Sequence, residues 1–369
     1  MTTQRPVLVV EDDQFIRIIG VVLDPSTSEE RRQAFAYFFA HDEPDFEGWC
    51  ESVRKAAPGL YPAEVRLAGS EEELPSLLTG ADVLVTESFA VDAGLLAAAD
   101  RLAVVQKYGT LTDSIDTAAC AQRGVKVLTL RRRANVACAE QTMALMLTLA
   151  KRLNEIAGLI SVEQLQEAGF SPTTYDRRHT AMSGWARISG LKVLYESTLG
   201  IVGFGEIGRE VAMRAKPFGM KMLYYQRHQL SPADEERYGV RYAPIETLLQ
   251  ESDWISVNLP ITPATRDFFD RTRLAMMKPG ACLINTARAE IVQREAVVEA
   301  LASGHLGGFA LDPLYEEPGR SDDELLQFSN VVLTPHTAAQ PRFNALNDLR
   351  DLIVGLATAL TPSGESRRP

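Results

Sequence analysis

The stretch Thr198-Leu-Gly-Ile-Val-Gly-Phe-Gly-Glu-Ile-Gly-Arg209 decides how the chain is read. Leu199 to Val202 is an apolar run as long as a buried strand, and Glu206 to Ala215 carries a helical pattern. Between them, Gly203-x-Gly205-x-x-Gly208 stands where a strand turns directly into a helix. There Gly203 permits a tight turn, Gly205 leaves room for a pyrophosphate against the backbone, and Gly208 lets helix and strand pack closely. The start of the helix, with Glu206 and Ile207, adds unpaired N–H groups and a positive dipole end. The stretch therefore predicts a dinucleotide-binding turn.

Outward from this turn the pattern repeats. Strands are predicted at Leu199–Val202, Lys221–Tyr225, Trp254–Asn258, Ala281–Asn285, Gly308–Leu311 and Val331–Leu333. Helical patterns lie between them at Glu206–Lys216, Pro244–Glu251, Arg271–Met277 and Gln293–Ser303, which completes a dinucleotide-binding domain. Upstream, from about Val65, a separate series begins. Its strands are Ala81–Thr86, Leu102–Gln106 and Val125–Leu130, with helices at Ala90–Ala99 and Thr117–Arg123. Asn135–Leu153 reads as a long apolar helix, for a core or for a second subunit. The helical pattern Arg342–Leu360 follows the completed nucleotide domain, so it is expected to return to the N-terminal domain and make that domain discontinuous. In 24–62 a helix is predicted at Glu29–Phe39, followed by an acidic, aromatic loop from His41 to Trp49. That segment and the irregular 160–190 segment are either functional loops or insertions.

Composition narrows the partners. The 369 residues suit two domains, and 46% hydrophobic with 24% charged residues is ordinary for a globular protein. A net charge of −11 argues against nucleic acid and anionic membrane, which demand a basic face. Cys50, Cys120, Cys138 and Cys282 lack metal-ligand spacing and read as small core residues in a reducing compartment; no metal site is expected. No apolar run reaches membrane-spanning length, and the start Met-Thr-Thr-Gln-Arg has no signal-peptide core. A cytoplasmic protein is expected.

Four motifs occur in one order: the glycine turn, Asn285-Thr-Ala-Arg288, Asp312-Pro-Leu-Tyr-Glu-Glu317-Pro318 and Leu333-Thr-Pro-His336. From about Leu102 to Arg342 the chain resembles the D-2-hydroxyacid dehydrogenase family, which includes phosphoglycerate, glyoxylate/hydroxypyruvate and formate dehydrogenases. The resemblance implies an α/β protein with two Rossmann-like domains. In it a central NAD(P)-binding Rossmann domain, 131–336, is inserted in a discontinuous flavodoxin-like substrate domain, 1–130 and 337–369. It also implies a homodimer acting on a small 2-oxo or 2-hydroxy acid, with Arg288, Glu317 and His336 as catalytic triad.

The residue types suit that chemistry. Reduction of a 2-oxo acid needs a cation for the carboxylate and carbonyl, a proton donor for the carbonyl oxygen and a hydride source. Arg288 follows a predicted strand, and its rigid charged fork matches a carboxylate. His336 follows the last strand, and imidazole exchanges protons near working pH. A carboxylate at Glu317, if its loop folds back, fixes the imidazole tautomer and favours its charged form. Taken singly, each residue also reads as a capping arginine, an exposed acidic turn or a satisfied loop histidine.

Further assignments come from the resemblance. Gln106-Lys-Tyr-Gly109-Thr110-Leu111 resembles the family's glycine-rich loop, so Gly109, Thr110 and Leu111 would hold the substrate carboxylate. Leu111 stands where most relatives carry a second glycine. Lys107 is either an added cation or a solvated loop lysine, and Arg131-Arg132-Arg133 reads as an exposed basic turn in preference to a site for a dianionic substrate. Pro260 and Thr262 would line the adenosine side. Thr286 and Ala287 would lie near the nicotinamide, and Asp312 would accept a hydrogen bond from its carboxamide, a reading its place at the end of a strand favours over a simple loop cap. At the end of the second strand an acidic residue normally bonds the ribose 2′-hydroxyl. Here Gln226 and Arg227 stand there, so NADP(H) is expected to be preferred. Glu317 is Gln in formate dehydrogenases, which counts against formate. A phosphite-type dehydrogenase and a dinucleotide-sensing regulatory protein remain as alternatives.

Overall fold

Five short strands pair in parallel in the first part of the chain: β1 (Val7–Glu11), β2 (Glu64–Ala68), β3 (Val83–Thr86), β4 (Val104–Lys107) and β5 (Lys126–Leu128). Their order is β2-β1-β3-β4-β5, the flavodoxin-like doubly wound arrangement. β1 is buried along its whole length, as a strand of a parallel sheet covered on both faces must be. Leu8 and Val10 join one core with the helices Ile18–Leu23, Phe46–Ala56 and Phe343–Leu360. Val7 and Val9, pointing the other way, pack with Leu74, Leu96 and Cys120. The computed structural model describes residues 5–361. The reading of the first four residues and the expectation for 362–369 lie outside these.

The second sheet has seven parallel strands: β6 (Thr198–Val202), β7 (Lys221–Tyr225), β8 (Val240–Tyr242), β9 (Trp254–Val257), β10 (Cys282–Asn285), β11 (Gly308–Leu311) and β12 (Val331–Leu333). The order β12-β11-β10-β9-β6-β7-β8 reverses direction between β6 and β9, the Rossmann switch point. Val202, Val257 and Leu283 feed one core; Leu199, Ile201 and Ile284 feed the other. The long helix Arg133–Lys151 supplies Met143, Met146 and Ala150 to that second core, so its apolar face is used within the chain.

The chain divides into two compact units, the residues up to Val136 with those from Ala339 onward, and Ala137–Ala338. This differs from the expected cuts after 130 and 336. The first shift has a physical cause: Arg132 pairs with Glu87 at 2.8 Å and Arg133 with Asp348 at 2.9 Å, which ties the start of the long helix to the first unit. The second has one too, since the N–H groups of Thr337 and Ala338 bond to Asp312 of the second unit.

Four local expectations change. The His41–Trp49 loop contains the start of a helix, Phe46–Ala56, capped by Asp45 and burying Phe46, Trp49, Cys50 and Val53 at helical spacing. β8 was absent from the expected series, because a three-residue edge strand carries little hydrophobic period. Of the four cysteines, Cys50, Cys120 and Cys282 are buried and Cys138 only partly. In the 160–190 segment a capping box, Ser161 with Gln164, starts the helix Val162–Glu167; residues 171–190 form turns and no helix or strand.

Candidate active site

The glycine turn is built as its residue types require. Gly203 has φ +91°, and a Cβ there would strike the Asn258 carbonyl. A Cβ on Gly208 would meet the carbonyl of Gly203 and lie 3.3 Å from Ile201 Cγ2. Gly205, by contrast, is exposed, with no heavy atom within 4 Å of a Cβ position, and it is the N-cap of the helix Glu206–Ala215. Close packing behind and open space in front suit a pyrophosphate held by backbone N–H groups, so the turn fits a dinucleotide. Glu206 and Ile207 follow in the first turn, both half-buried.

Beyond β10, Asn285 organises the next loop. Its buried side chain accepts the Ala287 N–H at 3.0 Å and donates to the Arg288 carbonyl at 2.7 Å. The clip presents Arg288 at the sheet's carboxyl edge, exposed, its Nη1 donating to the Ala287 carbonyl at 2.7 Å and without an acidic partner among the described residues. Its side chain makes no cap on the short turn Ala289–Ile291 that follows. Thr286 turns inward: it is buried, its hydroxyl 2.9 Å from that of Thr142 on the long helix. Ala287 is half-buried beside it.

His336 is held by Asp312. The fully buried Asp312 carboxylate accepts from Thr334 Oγ1 (2.6 Å), Thr337 N–H (2.9 Å) and Ala338 N–H (2.9 Å), while its carbonyl accepts the His336 N–H at 3.0 Å. Asp312 thus serves as the anchor of the 334–338 loop, the loop-cap role that its sequence position allowed beside a cofactor contact. Within that loop His336 has φ +53°, a left-handed conformation that a non-glycine residue keeps only where its surroundings impose it.

The imidazole meets the expected carboxylate. His336 Nδ1 lies 3.0 Å from a Glu317 oxygen, and Glu317 Oε1 also accepts the Leu314 N–H at 2.9 Å. Burial works against ionisation of Glu317, but the hydrogen bonds from His336 and Leu314 and the charges of His336 and Arg288 outweigh it and hold the carboxyl below its usual range. An ionised Glu317 selects the tautomer with the proton on Nδ1 and leaves Nε2 for exchange. Thus His336 and Glu317 touch, and Arg288 acts on the pair through its field.

The remaining assigned residues fall on loops. Gln226 is half-buried and donates to the His228 carbonyl at 2.6 Å; Arg227 is exposed with no partner among the described residues. Pro260 and Thr262 are exposed in a turn stapled by Thr265, whose hydroxyl accepts the Thr262 N–H at 2.8 Å and donates to the Pro260 carbonyl at 2.6 Å. In the first unit Gly109, Thr110 and Leu111 follow β4, and the Gly109 carbonyl accepts the Leu130 N–H at 2.8 Å. Two readings are overturned there. Lys107 is buried, its Nζ donating to the Glu87 carbonyl, and Arg131–Arg133 is no solvated turn, since Arg132 and Arg133 are engaged with Glu87, Asp348 and Asp351.

Residues 143–338 match the model of the D-isomer specific 2-hydroxyacid dehydrogenase NAD-binding domain. A glyoxylate reductase of Thermococcus litoralis is 38% identical over 266 residues, spanning 72% of this chain and 74% of the relative. The chain belongs to the D-2-hydroxyacid dehydrogenase family. A second member, the D-3-phosphoglycerate dehydrogenase of Methanocaldococcus jannaschii, is 33% identical across 78% of this chain and 52% of its own length. Among solved structures, the D-lactate dehydrogenase of Aquifex aeolicus in complex with NAD and lactic acid has a TM-score of 0.51 and 25% identity, covering 96% of this chain and 94% of that one. This dehydrogenase is therefore an oxidoreductase of the CH–OH class that uses a nicotinamide dinucleotide and acts on small 2-hydroxy or 2-oxo acids. No helix among its described residues is long and apolar enough to cross a membrane.

Proposed function

We propose that the protein is an NADP(H)-preferring reductase of a small 2-oxo acid of the glyoxylate/hydroxypyruvate type, with Arg288, Glu317 and His336 as its catalytic residues. The observation that carries this reading is the 3.0 Å contact of His336 with Glu317, on a loop fastened by a fully buried aspartate. Arg288 binds and orients the carboxylate and carbonyl of the acid with the exposed fork that no acidic side chain occupies. His336 Nε2 delivers a proton to the carbonyl oxygen as negative charge develops there, its imidazole oriented by Glu317. Gly109, Thr110 and Leu111 supply backbone N–H groups to the substrate carboxylate. A bound nicotinamide supplies the hydride that C2 receives.

Gly203, Gly205, Glu206, Ile207 and Gly208 would hold the pyrophosphate, with Pro260, Thr262 and Ala287 along the rest of the cofactor. The preference for a 2′-phosphate is supported by the neutral Gln226 and the unpaired Arg227 beside it. The first unit is read as the substrate domain and the second as the nucleotide domain. A cytoplasmic homodimer is part of the reading, supported by four cysteines that form no disulfide and by exposed Ile160, Val193 and Tyr195 on the second unit. Oxidation of NADH and NADPH is to be followed against glyoxylate, hydroxypyruvate, pyruvate and longer oxo acids. Turnover with NADPH favoured is expected. Cofactor binding without turnover of any acid would instead point to a dinucleotide sensor, and preference for NADH would reject the role given to Gln226 and Arg227.

A further inference from the structure

At the carboxyl edge of the five-stranded sheet two buried donors stand together without acceptors. Tyr108, directly after β4, is 1% exposed, and its hydroxyl has no hydrogen-bond partner. The Arg132 guanidinium lies 4.2 Å above the centre of that ring. Arginine has five N–H donors in a fixed fork. Arg132 uses Nη1 on Glu87, at 2.8 Å; its Nε is buried and unpaired, and no described residue accepts from Nη2. An unmade bond of a buried donor costs about 1–3 kcal/mol, so two such atoms in one cluster call for an acceptor.

The surroundings say which kind. Burial pushes the Tyr108 hydroxyl up to about 12, against the opposing charge of Arg132, so it stays a protonated donor. The acids facing the cluster are otherwise occupied. Asp348 accepts from Arg133 at 2.9 Å, Asp13 accepts the N–H groups of Phe15 and Ile16, and Glu87 holds Arg132 by one contact. What remains is the bidentate edge of a guanidinium next to a phenol, a donor set that fits a carboxylate or phosphate group. Open α/β sheets bind ligands outside the carboxyl ends of their strands, and Tyr108 immediately precedes Gly109 of the loop assigned to the substrate carboxylate.

We infer that Arg132 and Tyr108 form a subsite for a second anionic group on the substrate, which makes the favoured substrate a dianionic 2-oxo acid, either dicarboxylic or phosphorylated. This rests on the oxo-acid reductase activity proposed above and moves its favoured acid from the monoanionic glyoxylate/hydroxypyruvate type to one that carries a second anion. Glyoxylate is the monoanionic reference; oxaloacetate and phosphohydroxypyruvate separate the carboxylate and phosphate sources.

The test is kcat/KM on these three acids for the wild type, Arg132→Met and Tyr108→Phe. The wild type is expected to favour one dianionic acid over glyoxylate by at least about tenfold. Arg132→Met should weaken the dianionic acid about ten- to a hundredfold more than glyoxylate, through KM. Tyr108→Phe keeps the ring and should move the same ratio several-fold without lowering Tm. Equal losses on all acids would reduce Arg132 to a positioning residue, and a wild type indifferent to the second anion would leave only an ordered water on these donors; either result overturns the proposal. Absence of turnover on every acid would reject the function, and the subsite is then read separately from Tm. Saturable stabilisation of the wild type by malonate or inorganic phosphate, lost in both variants, supports it, and no such stabilisation ends it.

Discussion

At the carboxyl edge of the seven-stranded sheet, the reactive side chains are held by their backbones; at that of the five-stranded sheet, the cations are held by their charges. Asn285 clips the loop that carries Arg288, and Asp312 clips the loop that carries His336, yet neither clip consumes the guanidinium fork or the imidazole Nε2. Arg133, in contrast, is spent on Asp348 and Asp351, and Lys107 on the Glu87 carbonyl. A charged residue becomes a chemical group when its loop is fastened by something else. Paired with a neighbour, it becomes part of the scaffold.

That contrast can be broken by substitution. Arg288→Met should lower kcat/KM by about 10²–10³, because a preorganised cation is removed from the developing charge. A loss under tenfold in steady-state assays would make Arg288 an ordinary surface arginine. Glu317→Gln should cost about ten- to a hundredfold in kcat and change the pH profile. The Glu317 carboxyl is held low in the folded protein, so its contribution is present above the ordinary carboxylate range and disappears as pH falls through the lowered value. The wild type should therefore keep activity on the acid side until that point, and the variant should lack this acid limb; identical profiles would argue that the carboxylate is a bystander.

The glycine turn offers a sharper version. A Cβ at position 208 meets backbone, whereas one at 205 meets open space. Gly208→Ala is expected to destabilise the protein by about 1–3 kcal/mol in denaturant unfolding. Gly205→Ala should leave stability within about 0.5 kcal/mol while weakening dinucleotide binding in a titration. Equal stability losses would mean that the space before Gly205 is not reserved for a ligand.

In the first unit the smallest effect is expected at Glu11. Although burial opposes its ionisation, donors from Ser88, Thr86 and Glu87 hold the carboxyl below the usual range. Glu11→Gln should cost about 1–2 kcal/mol at neutral pH, and the difference from wild type should shrink as the solution is acidified, since the folded value is depressed. A difference that grew on acidification would contradict that sign.

Much of this was legible in the sequence because it depends on period and position. β7, β11 and β12 coincide with their predicted spans, being apolar runs between turn residues. The pairing of Glu317 with His336 was readable from motif order. Three things were not. The fate of Arg132 and Arg133 depends on Glu87 and Asp348, residues 45 and 215 positions away, which no local pattern reveals. The clips by Asn285 and Asp312 arise from side-chain bonds to loop backbone; the signal available was an amide at the last position of an apolar strand and an acid directly after one. The helix Phe46–Ala56 was hidden because its buried set begins inside an acidic, aromatic stretch.

The central claim is that His336, oriented by Glu317, moves the proton. Dissociation constants for NADPH and NADH, together with single-turnover reduction of the best acid, should be measured for wild type and His336→Ala. The account predicts unchanged cofactor affinity and a chemical step slowed by about 10²–10⁴. A variant that reduced the acid at the wild-type rate would contradict it.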